Sequence, residues 1–123
     1  MAATKGVEVK SFEQPEETRP FQRKGNARMV HVAGKSVGLG TFEPGWRWST
    51  NIKPIAGTPT CQMSHMGYVL QGSMRIMMDD GTEEVMTPGS MVAIAPGHDA
   101  EVIGDEPCVF LDFGEIDEFA NRH

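Results

Sequence analysis

The chain lacks several features that would place it in a common class of protein. Its 123 residues include two cysteines, Cys61 and Cys108, which are too few for a disulfide scaffold. No apolar run approaches the about 20 residues of a membrane-spanning helix, and the opening MAATKGVEVK has no apolar secretory segment. The net charge of −6 argues against nucleic-acid or anionic membrane partners. We therefore expect a reduced, cytoplasmic protein that binds neither.

The motifs of several enzyme classes are also absent. The sequence contains no nucleophile elbow, no P-loop, no dinucleotide-binding fingerprint and no closely paired carboxylates. Acid–base chemistry would have to use His65, His98 or a bound metal ion, because imidazole is the side chain that most often transfers protons near neutral pH.

The residues that are present predict many short strands. The 14 glycines and 8 prolines indicate frequent turns rather than long helices. In SMRIMMD the apolar Met74, Ile76 and Met78 alternate with polar neighbours, as in a half-buried strand, and Asp80-Gly81 then forms a strong hairpin signal. The predicted strands are residues 29–32, 37–42, 47–52, 60–65, 68–70, 74–78, 83–86, 91–95, 101–103 and 108–113. Such spacing indicates an all-β sandwich or a small barrel.

The two ends of the chain differ from this pattern. Residues 1–27 are mostly polar, and only residues 7–9 resemble a strand, so this segment is predicted to be an N-terminal arm with room for one edge strand. Residues 28–114 are the predicted barrel. Residues 115–123 are predicted to be a C-terminal tail that forms one terminal turn or frays.

Two segments resemble the motifs of the cupin superfamily. The run YVLQG, ending at Gly72, resembles the end of the first cupin motif, and Pro88-Gly89 and Pro96-Gly97 resemble the turns of the second. The resemblance covers roughly residues 35–113. It implies an all-β fold, a small jelly-roll (double-stranded β-helix) barrel.

The usual cupin metal ligands are replaced in this chain. The position of the family's Glu holds His65, and the positions of two family histidines hold Cys61 and Ala100, with His98 two residues before the latter. Because side chains alternate along a strand, His98 and Ala100 are expected to face the same side. Cys61, His65 and His98 are therefore the predicted metal ligands, in place of three histidines and a glutamate.

The chemistry of this trio permits two interpretations. One thiolate and two imidazoles suit Zn²⁺ in a three-ligand site with an open position, and Fe²⁺, Ni²⁺ or Cu²⁺ are alternatives. In the other interpretation no metal is bound, Cys61 is a small buried hydrophobe and the two histidines are hydrogen-bonded pocket residues.

A small-molecule pocket is predicted beside the trio. Its candidate residues are aromatic, adaptable or on the same strand face as a predicted ligand: Trp46, Trp48, Met63, Gln71 and Ala100. Trp46 and Trp48 point to one side if residues 47–52 form a strand, and they would then wall the pocket.

Two functions follow from these features. The resemblance implies a metal-dependent enzyme of the dioxygenase, isomerase or lyase type that acts on a small polar organic molecule. The alternative is a metal-free binding or regulatory module without catalysis, which loss of the usual glutamate favours. We also expect a homodimer, since small jelly rolls leave edge strands that need covering.

Overall fold

The computed structural model describes residues 6–114, which form short antiparallel strands and two single-turn helices. The strands are β1 (Glu17–Pro20), β2 (Gly25–Val32), β3 (Lys35–Phe42), β4 (His65–Gln71), β5 (Ser73–Met78), β6 (Glu83–Met86), β7 (Met91–Ile94), β8 (His98–Ile103) and β9 (Cys108–Asp112), and the helices are α1 (Trp48–Asn51) and α2 (Lys53–Ala56). The predicted all-β class is confirmed.

The strands form two sheets with the core between them. The larger sheet has the order β1-β2-β3-β9-β4-β7, and the smaller has the order β6-β5-β8. Alternate side chains of each strand point into the core: in β5, Met74 and Ile76 are buried while Arg75 lies between them on the outer side. Val69 of β4 and Phe110 of β9 meet them from the larger sheet. The period-2 pattern therefore selects which face of each strand is buried.

The glycine that ends YVLQG is required by the turn from β4 to β5. Gly72 has a φ of 72°, and a Cβ there would lie 2.2 Å from the carbonyl oxygen of Pro107. Both the left-handed backbone and the close approach exclude a side chain. The predicted Asp80-Gly81 turn is also present, and it joins β5 to β6, which pair in antiparallel fashion.

The prediction of a strand over residues 47–52 is wrong. Arg47 is extended and makes one bridge to Glu101, but the chain then enters α1 and α2. The buried side chain of Asn51 accepts a hydrogen bond from the backbone N–H of Arg47 at 2.9 Å, and Pro54 lies in the first turn of α2. These local interactions stabilise the helical turns that follow Arg47.

The N-terminal segment is more structured than the polar composition suggested. β1 pairs with β2 as an edge strand, whereas Val7 and Val9, in the run that resembled a strand, are exposed and outside any strand. Phe21 and Ala27 are buried in the core, and the predicted boundary at residue 28 falls within β2. The predicted tail, residues 115–123, lies outside the described residues. Within residues 6–114, no helix has the length and apolar character to cross a membrane.

Candidate functional site

The backbone places Cys61 directly beside His98. β4 and β7 pair with His65 opposite Ile94, and an isolated antiparallel bridge places Cys61 opposite His98. Cys61 lies four residues before His65, and His98 lies four residues after Ile94, so the Cys61–His98 bridge continues the register in which β4 pairs with β7. The backbone N–H of Cys61 donates to the carbonyl of His98 at 2.8 Å. One strand register therefore brings both sequence motifs together.

The three side chains meet in the interior. Cys61, His65 and His98 are all buried, and one potential ligand atom from each lies within 4.8 Å of the others. The Cys61 Sγ is 3.5 Å from His65 Nε2, and the two imidazole rings pack edge to face with centroids 5.4 Å apart. The structure thus brings together all three residues that the sequence predicted as ligands.

A fourth residue, Asp112, completes the group, and sequence reasoning missed it. Its Oδ2 accepts a hydrogen bond from His65 Nδ1 at 2.7 Å, and its Oδ1 accepts one from the backbone N–H of Gly114 at 2.9 Å. Asp112 faces inward because it shares a face of β9 with the buried Cys108 and Phe110. An acidic residue at an inward position of an apolar strand was the available signal, since buried carboxylates need a partner.

Both imidazoles are oriented through their Nδ1 atoms. His65 Nδ1 donates to Asp112, and His98 Nδ1 donates to the carbonyl oxygen of Ala95 at 2.8 Å. These bonds place a proton on each Nδ1 and leave Nε2 as the ring nitrogen that can bind a metal. Metal-binding histidines are commonly held in this way by a carboxylate or a backbone carbonyl.

Burial and hydrogen bonding act in opposite directions on the contacting pair. Burial raises the pKa of the Cys61 thiol, but hydrogen bonds with His65 and His98 outweigh it and lower the pKa to about 6. Burial lowers the pKa of His65, but hydrogen bonds with Asp112 and Cys61 outweigh it and raise the pKa to about 9. Without a metal, the pair is a thiolate and an imidazolium between about pH 6 and pH 9. A divalent cation would replace the His65 Nε2 proton in this arrangement.

A cavity adjoins the two histidines. Its volume is about 40 Å³, room for about three water molecules or the end of a small organic molecule. Its lining combines His65, His98 and Asp112 with apolar and aromatic side chains, among them Trp46 and Trp48. Ala100 also lines it, so His98 and Ala100 face the same side of β8 as the alternation predicted.

Two predicted pocket residues do not line this cavity. Gln71 is exposed, because the pairing of β4 with β9 shifts register between Val69 and Gln71. Such a bulge breaks the alternation from which its direction was inferred. Met63 is half-buried and packs against the core cluster instead.

Ion pairs hold the segment that carries the two tryptophans. Arg47 lies between them in sequence and points outward, where its guanidinium contacts Glu101 at 2.8 Å and Asp99 at 3.4 Å. The Asp99 carboxylate also accepts from the backbone N–H of Ser49 at 3.1 Å. The tryptophans are therefore fixed over the cavity from β8, although they are not on a strand.

Comparison with known proteins identifies the fold. No family model and no curated protein matches the chain. Among solved structures, a protein of unknown function from Acidithiobacillus ferrooxidans is similar at 17% identity, with a TM-score of 0.58 over 85% of this chain and 97% of that one. Oxalate decarboxylase of Bacillus subtilis is similar at 16% identity, with a TM-score of 0.60 over 91% of this chain and 31% of that one.

A third similar structure is the polyketide cyclase RemF from Streptomyces resistomycificus, at 19% identity, with a TM-score of 0.60 over 86% of this chain and 77% of that one. At these identities the likeness concerns the fold alone. The chain has a cupin-like fold of two antiparallel sheets, and its buried Cys/His/His group fits a possible metal site.

Proposed function

We propose that this protein is a small metal-dependent enzyme that holds one divalent metal ion on Cys61, His65 and His98. The observation that carries the proposal is the proximity of these three buried side chains, whose donor atoms lie within 4.8 Å of one another. Buried polar groups gathered around one point are costly unless they are paired, and a cation pairs all three at once.

The donor set fits a metal ion in chemistry, and one pair of donors has the separation that such an ion requires. A sulfur and a nitrogen bound tetrahedrally to one Zn²⁺ lie roughly 3.5 Å apart, given bonds of about 2.3 and 2.0 Å. The Cys61 Sγ and His65 Nε2 are 3.5 Å apart. A thiolate with two imidazoles favours Zn²⁺, and Fe²⁺, Ni²⁺ or Cu²⁺ accept the same donors. A metal ion bound here would act as a Lewis acid toward an oxygen atom of the substrate.

The other residues of the site position and enclose the reaction. Asp112 keeps the His65 proton on Nδ1 and thereby leaves Nε2 for the metal. Trp46, Trp48 and Phe110 line the cavity and give it an apolar wall. A substrate would enter this cavity with the end that carries its oxygen atoms. We propose a reaction of the dioxygenase, isomerase or lyase type on a small organic molecule.

The similar structures support this class of reaction without specifying it. One is named as a decarboxylase of oxalate and another as a cyclase of polyketides, and both are enzymes that act on organic oxygen compounds. Neither substrate is transferred to this chain, because function depends on the residues of the site rather than on the fold.

Metal content tests the proposal directly. The protein is purified without chelator, loaded with Zn²⁺ or Fe²⁺ and desalted, and bound metal is measured by mass spectrometry for wild type and for His65→Ala and His98→Ala. We expect about one metal ion per chain in wild type and a loss in both variants. His31→Ala is the matched control, because His31 is exposed and bonds Ser36 away from the site.

A second outcome would favour the metal-free alternative. If wild type takes up no metal after loading with either ion, the trio is a hydrogen-bonded network and the protein is a small-molecule-binding or regulatory module. If both histidine variants retain the metal, the assignment of the ligands is contradicted, and the protein binds its metal at another site.

A further inference from the structure

The outer face of the larger sheet is apolar where a face in contact with water is usually polar. Met66, Tyr68 and Leu70 of β4 point away from the core and are 47%, 36% and 50% exposed. Met91 of β7 lies opposite Tyr68 and is 61% exposed. An antiparallel sheet that covers a core on one side normally places polar residues on the other. This face therefore departs from the pattern of a sheet that ends in solvent.

The apolar residues continue across four strands. Leu39 of β3 lies opposite Leu111 of β9. Leu111 lies opposite Tyr68 of β4, which in turn lies opposite Met91 of β7. Side chains directly opposite on neighbouring strands share a face, so these four residues form one continuous row. Within these four strands, all among the described residues, the one charged residue at an outward position is Lys35, where β3 begins.

The outer face of the smaller sheet has the opposite character. Arg75 of β5 points outward there and contacts Glu101 of β8 at 2.7 Å, and Glu101 also contacts Arg47 at 2.8 Å. Asp99 lies two residues before Glu101 on β8 and contacts Arg47 as well. This face carries charges, as a solvated face does, so the apolar patch is particular to the larger sheet. Continuous exposed apolar patches of this kind mark interaction sites.

The neighbouring strand of the same face is covered by the chain itself. Val30 of β2 is 3% exposed and lies outside the core cluster, so it is buried on the outer side. The N-terminal segment reaches this side of β2, because the guanidinium of Arg28 donates to the carbonyl oxygen of Phe12 at 3.4 Å. The outer face is therefore covered at β2 and exposed from β4 to β7.

The charge of the chain indicates that a second copy is the cover. Two chains of net charge −6 repel each other, so a stable contact between them has to keep their charges apart. A two-fold interface uses the same surface on both copies and must be complementary to itself. An apolar face meets both requirements. A basic protein partner would need an acidic patch, and the outward positions of β3, β9, β4 and β7 hold no acidic residue.

The dimensions of the face agree with the centre of a dimer interface. Four strands about 4.8 Å apart and three rows of side chains about 6.8 Å apart give a flat area of roughly 400 Å². Polar residues at the strand ends, among them Lys35 and Gln71, surround this area. With such a rim the contact approaches the roughly 800 Å² per partner of a typical specific interface, which also has an apolar centre and a polar edge.

We infer that a second copy of this chain packs on this face, sheet against sheet, about a two-fold axis near Tyr68 and Leu111. The apolar side chains of the two copies interdigitate, as they do between the two layers of a β-sandwich. The homodimer expected from the sequence then forms through a sheet face rather than through edge strands. His65 and Asp112 lie on the opposite face of β4 and β9, so the inference does not depend on the proposed metal site.

Sedimentation equilibrium over a range of concentrations measures the association. We expect wild type to be a dimer, and Leu70→Glu and Met91→Glu to raise its dissociation constant at least about 100-fold, because each buries two unpaired carboxylates per dimer. Val85→Glu is the matched control and should leave the constant unchanged. Val85 is 48% exposed, as Leu70 is 50% exposed, but it lies on β6 of the smaller sheet. Far-UV circular dichroism checks that each variant is folded.

Nuclear Overhauser effects between copies identify the face directly. Protein with ¹³C-labelled methionine methyl groups is mixed with unlabelled protein, and isotope filtering selects contacts between the two. We expect the methyl groups of Met66 and Met91, assigned with the leucine variants, to show effects to tyrosine ring protons of the unlabelled copy. The chain has one tyrosine, so these protons belong to Tyr68.

Three results would overturn the inference. The first is a wild-type mass of one chain across the whole concentration range. The second is a dimer that persists in Leu70→Glu and Met91→Glu, or one that Val85→Glu dissociates equally. The third is a dimeric sample in which neither methyl group shows an effect to Tyr68, because the contact would then lie on another face.

Discussion

Replacing Asp112 by asparagine changes one atom of the site and tests how His65 is held. The wild-type carboxylate accepts two hydrogen bonds, from His65 Nδ1 at 2.7 Å and from the Gly114 N–H at 2.9 Å. An asparagine offers one oxygen and one NH₂ group to these two donors. If the NH₂ group faces His65, the ring proton must move to Nε2, which is the atom that contacts Cys61. If it faces Gly114, a backbone N–H loses its acceptor.

The magnitude follows from the burial of this pair. The side chains of His65 and Asp112 are 8% and 6% exposed, so solvent cannot replace the lost bond. Loss of a carboxylate that orients a metal-binding histidine reduces metal affinity by about 10- to 100-fold, which corresponds to about 1.4–2.7 kcal/mol of binding free energy. An unsatisfied buried N–H would in addition lower the free energy of unfolding of the metal-free protein by about 1–3 kcal/mol.

Competition with a chromophoric chelator measures the zinc affinity, and urea denaturation measures the stability of the metal-free protein. Asp105→Asn is the matched control, because Asp105 is exposed in the turn between β8 and β9. It should leave both quantities unchanged. In zinc-loaded protein, the His65 ring nitrogens observed by NMR should show Nδ1 protonated in wild type and a larger share of Nε2–H in Asp112→Asn.

Wild-type zinc affinity in a folded Asp112→Asn variant would refute this reasoning. It would mean that the orientation of His65 does not depend on the carboxylate, or that His65 is not a ligand. A loss of stability without a loss of zinc affinity would assign Asp112 a purely structural role.

The remaining predictions concern the turn, the cysteines and the assembly. Gly104 has a φ of 87° and open space around it, so Gly104→Ala should lower the free energy of unfolding in urea by about 1–2 kcal/mol through backbone strain alone. Gly72→Ala adds a clash at 2.2 Å with a backbone oxygen, so it should lower that free energy by at least about 1 kcal/mol more. Equal losses in the two variants would contradict the account of the turn at Gly72. Iodoacetamide should modify Cys61 before Cys108 in metal-free protein at pH 7–8, as measured by mass spectrometry. Burial raises the pKa of Cys108 to about 11, whereas hydrogen bonds from two imidazoles outweigh burial and lower that of Cys61 to about 6. The Cys61 rate should therefore fall as the pH is lowered through about 6, and faster modification of Cys108 would contradict this. The mass of the wild-type protein measured by light scattering should be twice the 13.5 kDa of one chain. Tyr68 lies on the exposed apolar face of β4, so Tyr68→Glu should give the mass of a monomer. A wild-type mass of one chain would count against the homodimer.

Features that depend on near neighbours in the chain could be predicted from the sequence. The alternation of Met74 and Ile76 in β5 and the Asp80-Gly81 turn are local, so the strand and its hairpin follow from them. The shared face of His98 and Ala100 also follows from alternation alone. A bulge is not encoded by alternation, and so the inferred direction of Gln71 was wrong.

The helices at the cavity are a different case. Residues 47–52 alternate as a strand does, but strand formation requires a partner, and only Arg47 has one. Asn51 then supplies a local acceptor, and the chain turns. Trp46 and Trp48 still line the cavity because Arg47 between them is extended. The two tryptophans therefore lie on the cavity wall, although the predicted secondary structure was wrong.

The sequence by itself determined many of the strands, the turns and the chemical types of the donors, because these depend on residues within a few positions of one another. The tertiary structure decided how the donors combine. The pairing of Cys61 with His98 continues the register of β4 and β7, and Asp112 reaches His65 from 47 residues away. Such contacts depend on which strands lie side by side in the folded sheet, and no local pattern specifies that.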